Sequence, residues 1–102
     1  MWQFIITIWK EYLERRKLRR IALFVCRYMN VRFKDFKAKK RTASISMAKH
    51  CYILIALEET NQSQRAICDV CNLKPCIIYY LRNVKLQEPQ FIREYEEVKR
   101  CY

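Results

Sequence analysis

The stretch Ser63-Gln64-Arg65-Ala66-Ile67-Cys68-Asp69-Val70-Cys71-Asn72-Leu73-Lys74-Pro75-Cys76-Ile77-Ile78-Tyr79-Tyr80-Leu81-Arg82-Asn83-Val84 decides the fold. Ser63 is a good N-cap for a helix over Gln64–Cys71, with Ala66, Ile67 and Val70 facing inward. Asn72-Leu73-Lys74 reads as a tight turn. Pro75 suits the first position of the next helix, where its missing N–H costs nothing, and that helix runs through Val84. Two short helices joined this way form a helix-turn-helix, in which the second helix enters the major groove of DNA and the first braces it. The exposed side of the second helix would then offer Lys74, Tyr79, Arg82 and Lys85 to phosphates or base edges. The same pattern also fits an ordinary helical hairpin inside a bundle.

Upstream, Ser44–Glu59 reads as a long helix. Ile45, Ala48, Tyr52, Ile55 and Ala56 lie along one side, and Ile53, Leu54 and Leu57 widen it. Thr60-Asn61-Gln62 is a turn. Downstream, Pro89 stands near the start of a final helix with Phe91, Ile92, Tyr95 and Val98 as its apolar stripe. With no glycine and only two prolines in 102 residues, helices joined by short turns are favoured. The expected fold class is all-α, a small helical bundle containing a helix-turn-helix.

The net charge of +11 sits in the first half of the chain. Residues 1–57 hold fourteen Lys/Arg against three Asp/Glu, whereas residues 58–102 hold seven of each. The basic half ends in Lys37-Ala38-Lys39-Lys40-Arg41, a loop leading to a helix start at Ser44. Helix N-termini favour phosphate, and a basic patch beside a helix-turn-helix is the electrostatic footprint of a chain that grips a nucleic-acid backbone. Lys37, Lys39, Lys40, Arg41 and Lys49 are therefore the candidate phosphate contacts, and double-stranded DNA the expected partner.

At the start of the chain, Trp2, Ile5, Ile6, Trp9, Tyr12 and Leu13 recur at helical spacing. A second apolar set follows at Leu18, Ile21, Ala22, Phe24, Val25, Tyr28 and Met29. This is one long helix, or two helices broken near Arg16–Arg20. Residues 1–24 read as an amphipathic helical extension and 25–102 as the helix-turn-helix domain. Trp2 and Trp9 are expected to cap the domain's own core. The other uses of that face are self-association, docking on a protein partner, or lying on a membrane surface. The apolar start is too short to span a bilayer, and no membrane partner is expected.

Other classes of function fit poorly. Without glycine there is no Gly-rich phosphate-cradling loop, so P-loop nucleotide hydrolysis is excluded. Met1–Trp9 lacks a basic leader region and a small-residue cleavage site, so the expected setting is reducing cytoplasm, with the six cysteines mostly small buried hydrophobes. Cys68-x2-Cys71-x4-Cys76, with His50 and Cys51 upstream, could supply soft metal ligands, but a structural zinc site normally needs four, often as two close pairs, and Cys68 falls inside a helix that needs small buried residues. No metal and no other cofactor is expected. No acid–base partner accompanies a cysteine or His50, so no enzyme is expected either.

Residues from about Val25 to Val98 resemble the C-terminal DNA-binding domain of the bacterial replication initiator DnaA, a Trp-repressor-like helix-turn-helix. Tyr28-Met29-Asn30-Val31 and Phe36-Lys37-Ala38-Lys39-Lys40-Arg41 resemble that family's connector and basic loop. Ala48-Lys49-His50 stands where the family usually has Ala-Arg-Gln, and Leu57-Glu58-Glu59-Thr60 resembles its helix end before the helix-turn-helix. Ile67 matches the isoleucine of the bracing helix, and Ile77-Ile78-Tyr79-Tyr80-Leu81-Arg82-Asn83-Val84 resembles the recognition helix. Phe91-Ile92-Arg93-Glu94-Tyr95-Glu96-Glu97-Val98 looks like a C-terminal tail of stand-alone relatives in phages and mobile elements. The chain departs from the pattern where the family has Arg-Asp-His-Ser-Thr, since Asn72-Leu73-Lys74-Pro75-Cys76 stands there. The usual glycines just before it are missing, and Ala43 replaces a minor-groove arginine. The resemblance implies duplex binding in replication or transcription control, in a bacterial or phage-infected cytoplasm, with a sequence preference different from the initiator's own. The alternative is a small basic structural component of a virion or ribonucleoprotein, which would contact RNA by shape and charge.

Overall fold

The computed structural model describes residues 2–40 and 42–102. Among them the chain forms six α-helices and one short 3-10 turn, with no strand. In order these are α1 (Trp2–Tyr28), α2 (Phe33–Lys37), α3 (Ala43–Glu59), α4 (Gln64–Val70), α5 (Ile77–Asn83), the 3-10 turn (Lys85–Gln87) and α6 (Pro89–Cys101). The fold is a small all-α bundle.

The central helix is α3. Its buried residues include Ile45, Ala48, Cys51, Tyr52, Ile53, Leu54, Ile55 and Ala56, which leave no solvated stripe along its middle. A helix apolar all round must be wrapped by others. Here α1, α2, α4 and α6 pack around it. Thr42 caps its start, with the Ile45 amide donating to Oγ1 at 3.4 Å. At its end the Thr60 hydroxyl donates to the Ala56 carbonyl at 2.8 Å, and the Lys17 ammonium donates to the Glu59 carbonyl at 3.3 Å. A cation there also meets the negative end of the helix dipole. The Tyr52 hydroxyl, fully buried, donates to the Ile67 carbonyl at 2.9 Å and ties α3 to α4.

Two helix ends require a left-handed residue, and this glycine-free chain uses asparagine at both. Asn30 has φ 56° and Asn72 has φ 57°. After α1, the Val31 amide donates to the Cys26 carbonyl at 2.8 Å and the Asn30 amide to Arg27 at 3.3 Å. After α4, the Leu73 amide donates to Cys68 at 3.1 Å and the Asn72 amide to Asp69 at 3.2 Å. Both are Schellman closures, which satisfy the last helix carbonyls and normally take glycine at the left-handed position. Asparagine is the residue that best replaces glycine there. The connector expected over Asn30–Phe36 holds the single-turn helix α2, whose Phe36 is fully buried and meets Tyr52 edge-on at 5.5 Å.

α1 is one unbroken helix of 27 residues, and it corrects an expectation. Only its second half joins the core, through Leu18, Ile21, Ala22, Val25 and Cys26. Core packing thus begins at Leu18, inside the stretch read as an extension. Trp2 and Trp9 do not cap the core; they are 76% and 60% exposed. Helical phase supplies the reason. At about 100° per residue, Trp2, Phe4, Ile5, Ile6, Ile8, Trp9, Tyr12 and Leu13 occupy an arc of roughly 200°. Gln3, Thr7, Lys10, Glu11 and Glu14 fill the remainder. Carried down the helix, the core stripe falls on the side of that polar strip, roughly 130° from the middle of the apolar arc. The first half therefore turns its apolar face away from its own domain. It projects from the bundle, giving a molecule of 50 × 27 × 26 Å. No helix among the described residues is long and apolar enough to cross a membrane.

Candidate nucleic-acid interface

The α4–turn–α5 unit starts as expected, with the Ala66 amide donating to Ser63 Oγ at 3.2 Å. The second helix begins two residues later than Pro75. Pro75 and Cys76 form a tight turn in which the Ile77 and Ile78 amides donate to the Lys74 and Pro75 carbonyls, and regular helix starts at Ile77. Ile67, Cys68, Cys71, Ile78 and Leu81 anchor the unit in the core. The outer side of α5 carries Tyr79, 74% exposed, and Arg82. These two line an open groove of about 430 Å³ with Gln64, Cys76 and Asn83. The Asn83 amide nitrogen donates to the Tyr79 carbonyl at 2.9 Å, which orients its remaining polar atoms. Lys74 is exposed in the turn before it. Gln64 and Asn83 add uncharged polar groups to this lining, which no charge pattern in the sequence marks.

Lys85 does not join that surface. It lies beyond α5, in the 3-10 turn, where its ammonium meets Glu88 at 3.4 Å and lies 5.4 Å from the Phe91 ring centre. α5 ends at Asn83, so the side of the helix expected to carry Lys85 stops short of it.

Lys49 is likewise no exposed phosphate contact. It is 3% exposed, and its ammonium donates to the Ala38 carbonyl at 2.7 Å. Its charge also acts on the Cys71 thiol. Lys49 therefore fastens the basic loop to α3. In that loop Lys37 and Lys39 are exposed. Lys40 is bonded to Asp35 at 2.8 Å, and Arg32 reaches the other oxygen of the same carboxylate at 3.4 Å. The bond from Lys40 holds the Asp35 carboxyl below its usual range. Arg41 lies outside the described residues.

The basic surface extends further than the loop. The Phe33 ring has the Lys37 ammonium 5.3 Å from its centre and the Arg19 guanidinium 5.9 Å from it. The second half of α1 thus meets α2 as a cationic rim. Arg15, Arg16, Arg19, Lys34, Lys37 and Lys39 form no ion pair among the described residues. The α1 arginines were legible as charges; the approach of Arg19 to Phe33 is a tertiary contact that no local spacing displays.

Four of the six cysteines are buried, whereas Cys76 and Cys101 are exposed. Burial pushes the Cys26 and Cys68 thiols up to about 11, and those of Cys51 and Cys71 to about 12. Thiols so raised stay protonated and unreactive near neutrality. No group of three His, Cys, Asp or Glu side chains among the described residues is placed to hold a metal. His50 packs 6.5 Å from Tyr80 and 6.4 Å from Phe91, ring to ring. Its Nδ1 is buried and has no hydrogen-bond partner among the described residues. Burial, reinforced by Lys85 and Lys49, lowers its pKa to about 4, so it is neutral at pH 7.

Compared with known proteins, the chain matches no family model, no curated protein and no solved structure.

Proposed function

We propose that this chain binds double-stranded DNA, gripping phosphates with the rim formed by α1, α2 and the basic loop, and presenting α5 to the major groove. One observation carries the reading: Lys49 ties the Lys37–Lys39 loop to α3, the same helix to which the Tyr52–Ile67 hydrogen bond ties α4. The exposed cations of the loop and the helix-turn-helix candidate thus share one supporting helix. Arg19 and Lys37 supply charge without base specificity, because phosphate contacts carry no sequence information. Arg82, with Gln64, Tyr79 and Asn83, supplies groups able to read base edges. The role is replication or transcription control of the DnaA C-terminal type, exercised by binding rather than catalysis, in a bacterial or phage-infected cytoplasm. A second surface, for a protein partner or self-association, lies on the exposed face of α1.

The test is competition binding. Labelled duplex is titrated with the chain, then challenged with unlabelled duplex DNA or RNA of equal length. Displacement by DNA well ahead of RNA supports the proposal. Preference for RNA would move the chain to the virion or ribonucleoprotein class, and absence of duplex binding would end the DNA reading.

A further inference from the structure

We infer that residues 2–13 of α1 dock on a second copy of this chain, antiparallel, about a two-fold axis. The inference rests on the self-association surface proposed above and is independent of DNA binding.

The apolar area is large. The eight apolar side chains of the arc are between 46% and 76% exposed. At about 100 Å² each they expose roughly 800 Å² of apolar side chain, the central part of which a facing helix would cover. A monomer does not ordinarily leave so large an apolar patch bare. The arc also suits a copy of itself. Trp2 at one end comes opposite Tyr12 and Leu13 at the other, with Ile5 and Trp9 between, and a two-fold axis closes the contact.

Charge selects the direction, and the vesicle arm of the test below separates a second copy from a bilayer. A helix that lies on an anionic bilayer carries a polar face rich in Lys and Arg. The polar strip here carries Lys10 against Glu11 and Glu14, which an anionic surface does not favour. Further along, the side that bears the apolar arc continues into Arg16, Arg20 and Arg27. A parallel pair would stack each of these on its own copy. The antiparallel pair places the two Arg16 side chains roughly 25 Å apart, several times the screening length at physiological salt.

Trp2 and Trp9 are the chain's two tryptophans, so emission reports this face directly. The intact chain is examined by sedimentation equilibrium from low micromolar concentration upward, alongside Ile5→Glu and Trp9→Glu. Both positions are exposed, so the monomer fold and its helix content should be retained. The expected result is a reversible dimer of the 12.6 kDa chain, with emission moving to the blue as concentration rises. Both variants should remain monomers, and their melting should match the parent's only at concentrations below its dimer constant. Arg16→Glu with Arg20→Glu should leave the dimer constant within about threefold.

A chain that stays monomeric at several hundred micromolar, or variants that still dimerise, would overturn the inference. So would a blue shift that appears only with phosphatidylglycerol vesicles, and a tenfold or greater tightening in the double-Glu variant would overturn the antiparallel arrangement. The fate of the DNA reading is separable, since a dimer without duplex affinity removes that reading alone, and a duplex-binding monomer removes this one.

Discussion

The Lys49 ammonium, at the middle of α3, bonds the Ala38 carbonyl eleven residues upstream at 2.7 Å. A buried cation is thus spent on holding a loop rather than on meeting a ligand. Lys49→Met keeps the apolar stem and leaves the carbonyl unpaired. It should cost about 1–3 kcal/mol in stability, read as a lower urea midpoint with an unchanged slope. The salt dependence of duplex binding should stay as steep as in the parent chain. A direct phosphate contact would instead flatten that slope by about 0.9 when lost.

Asn72 and Asn30 carry the two left-handed helix ends. Asn72→Ala should destabilise by about 1 kcal/mol, because a Cβ without a local polar partner resists that conformation. Asn72→Gly should be neutral or slightly stabilising. Thermal melts of both variants, and of the same pair at Asn30, check the assignment. Equal melting for Ala and Gly would contradict it.

If roughly four to six phosphates are neutralised, log K for duplex binding should fall with log[salt] at a slope near −4 to −5. Lys37→Ala with Lys39→Ala should weaken every duplex alike and flatten the slope by about 2. Arg82→Ala should cost about 1–3 kcal/mol on a selected site and much less on random duplex. Uniform loss across sequences would show that α5 does not read bases.

His50 makes stability depend on pH with a definite sign. Its folded pKa of about 4 lies below its ordinary 6.5, so the unfolded chain binds the extra proton first. The contribution is fully present above pH 6.5 and is lost as pH falls towards 4. Allowing for partial exposure, the loss is about 1–2 kcal/mol. His50→Gln should flatten the stability profile across this window in urea titrations at fixed pH values. A parent chain equally stable at pH 7 and pH 4.5 would contradict the assignment.

Local signals located most of the fold. Ser63, the turn after α4, Pro89 and the Phe91/Tyr95/Val98 stripe stand where capping and periodicity put them. The expectation for Trp2 and Trp9 failed because periodicity shows that a helix has a face, not where the face points. Following one continuous wheel from Trp2 to Cys26 would have exposed the mismatch. The site was less legible. Lys49 looked like another basic residue of the loop, yet it sits on a helix buried on every side, where a lysine must find an internal acceptor. Lys85 follows Arg82 at helical spacing, which places it on the exposed side of the second helix, but nothing local marks the break after Asn83. Arg19 gains its place through Phe33, which lies fourteen residues away in the chain.

The unbroken run of α1 makes angular registration part of the molecule's design. Nothing between Glu14 and Leu18 interrupts the helix, so whatever the first half holds is set at a fixed azimuth to the bundle. One residue inserted there would swing the apolar arc by about 100°, whereas four would turn it by only about 40° and lengthen the arm by roughly 6 Å. The stretch is a rigid shaft, and its residue count governs the dihedral between the two surfaces it joins.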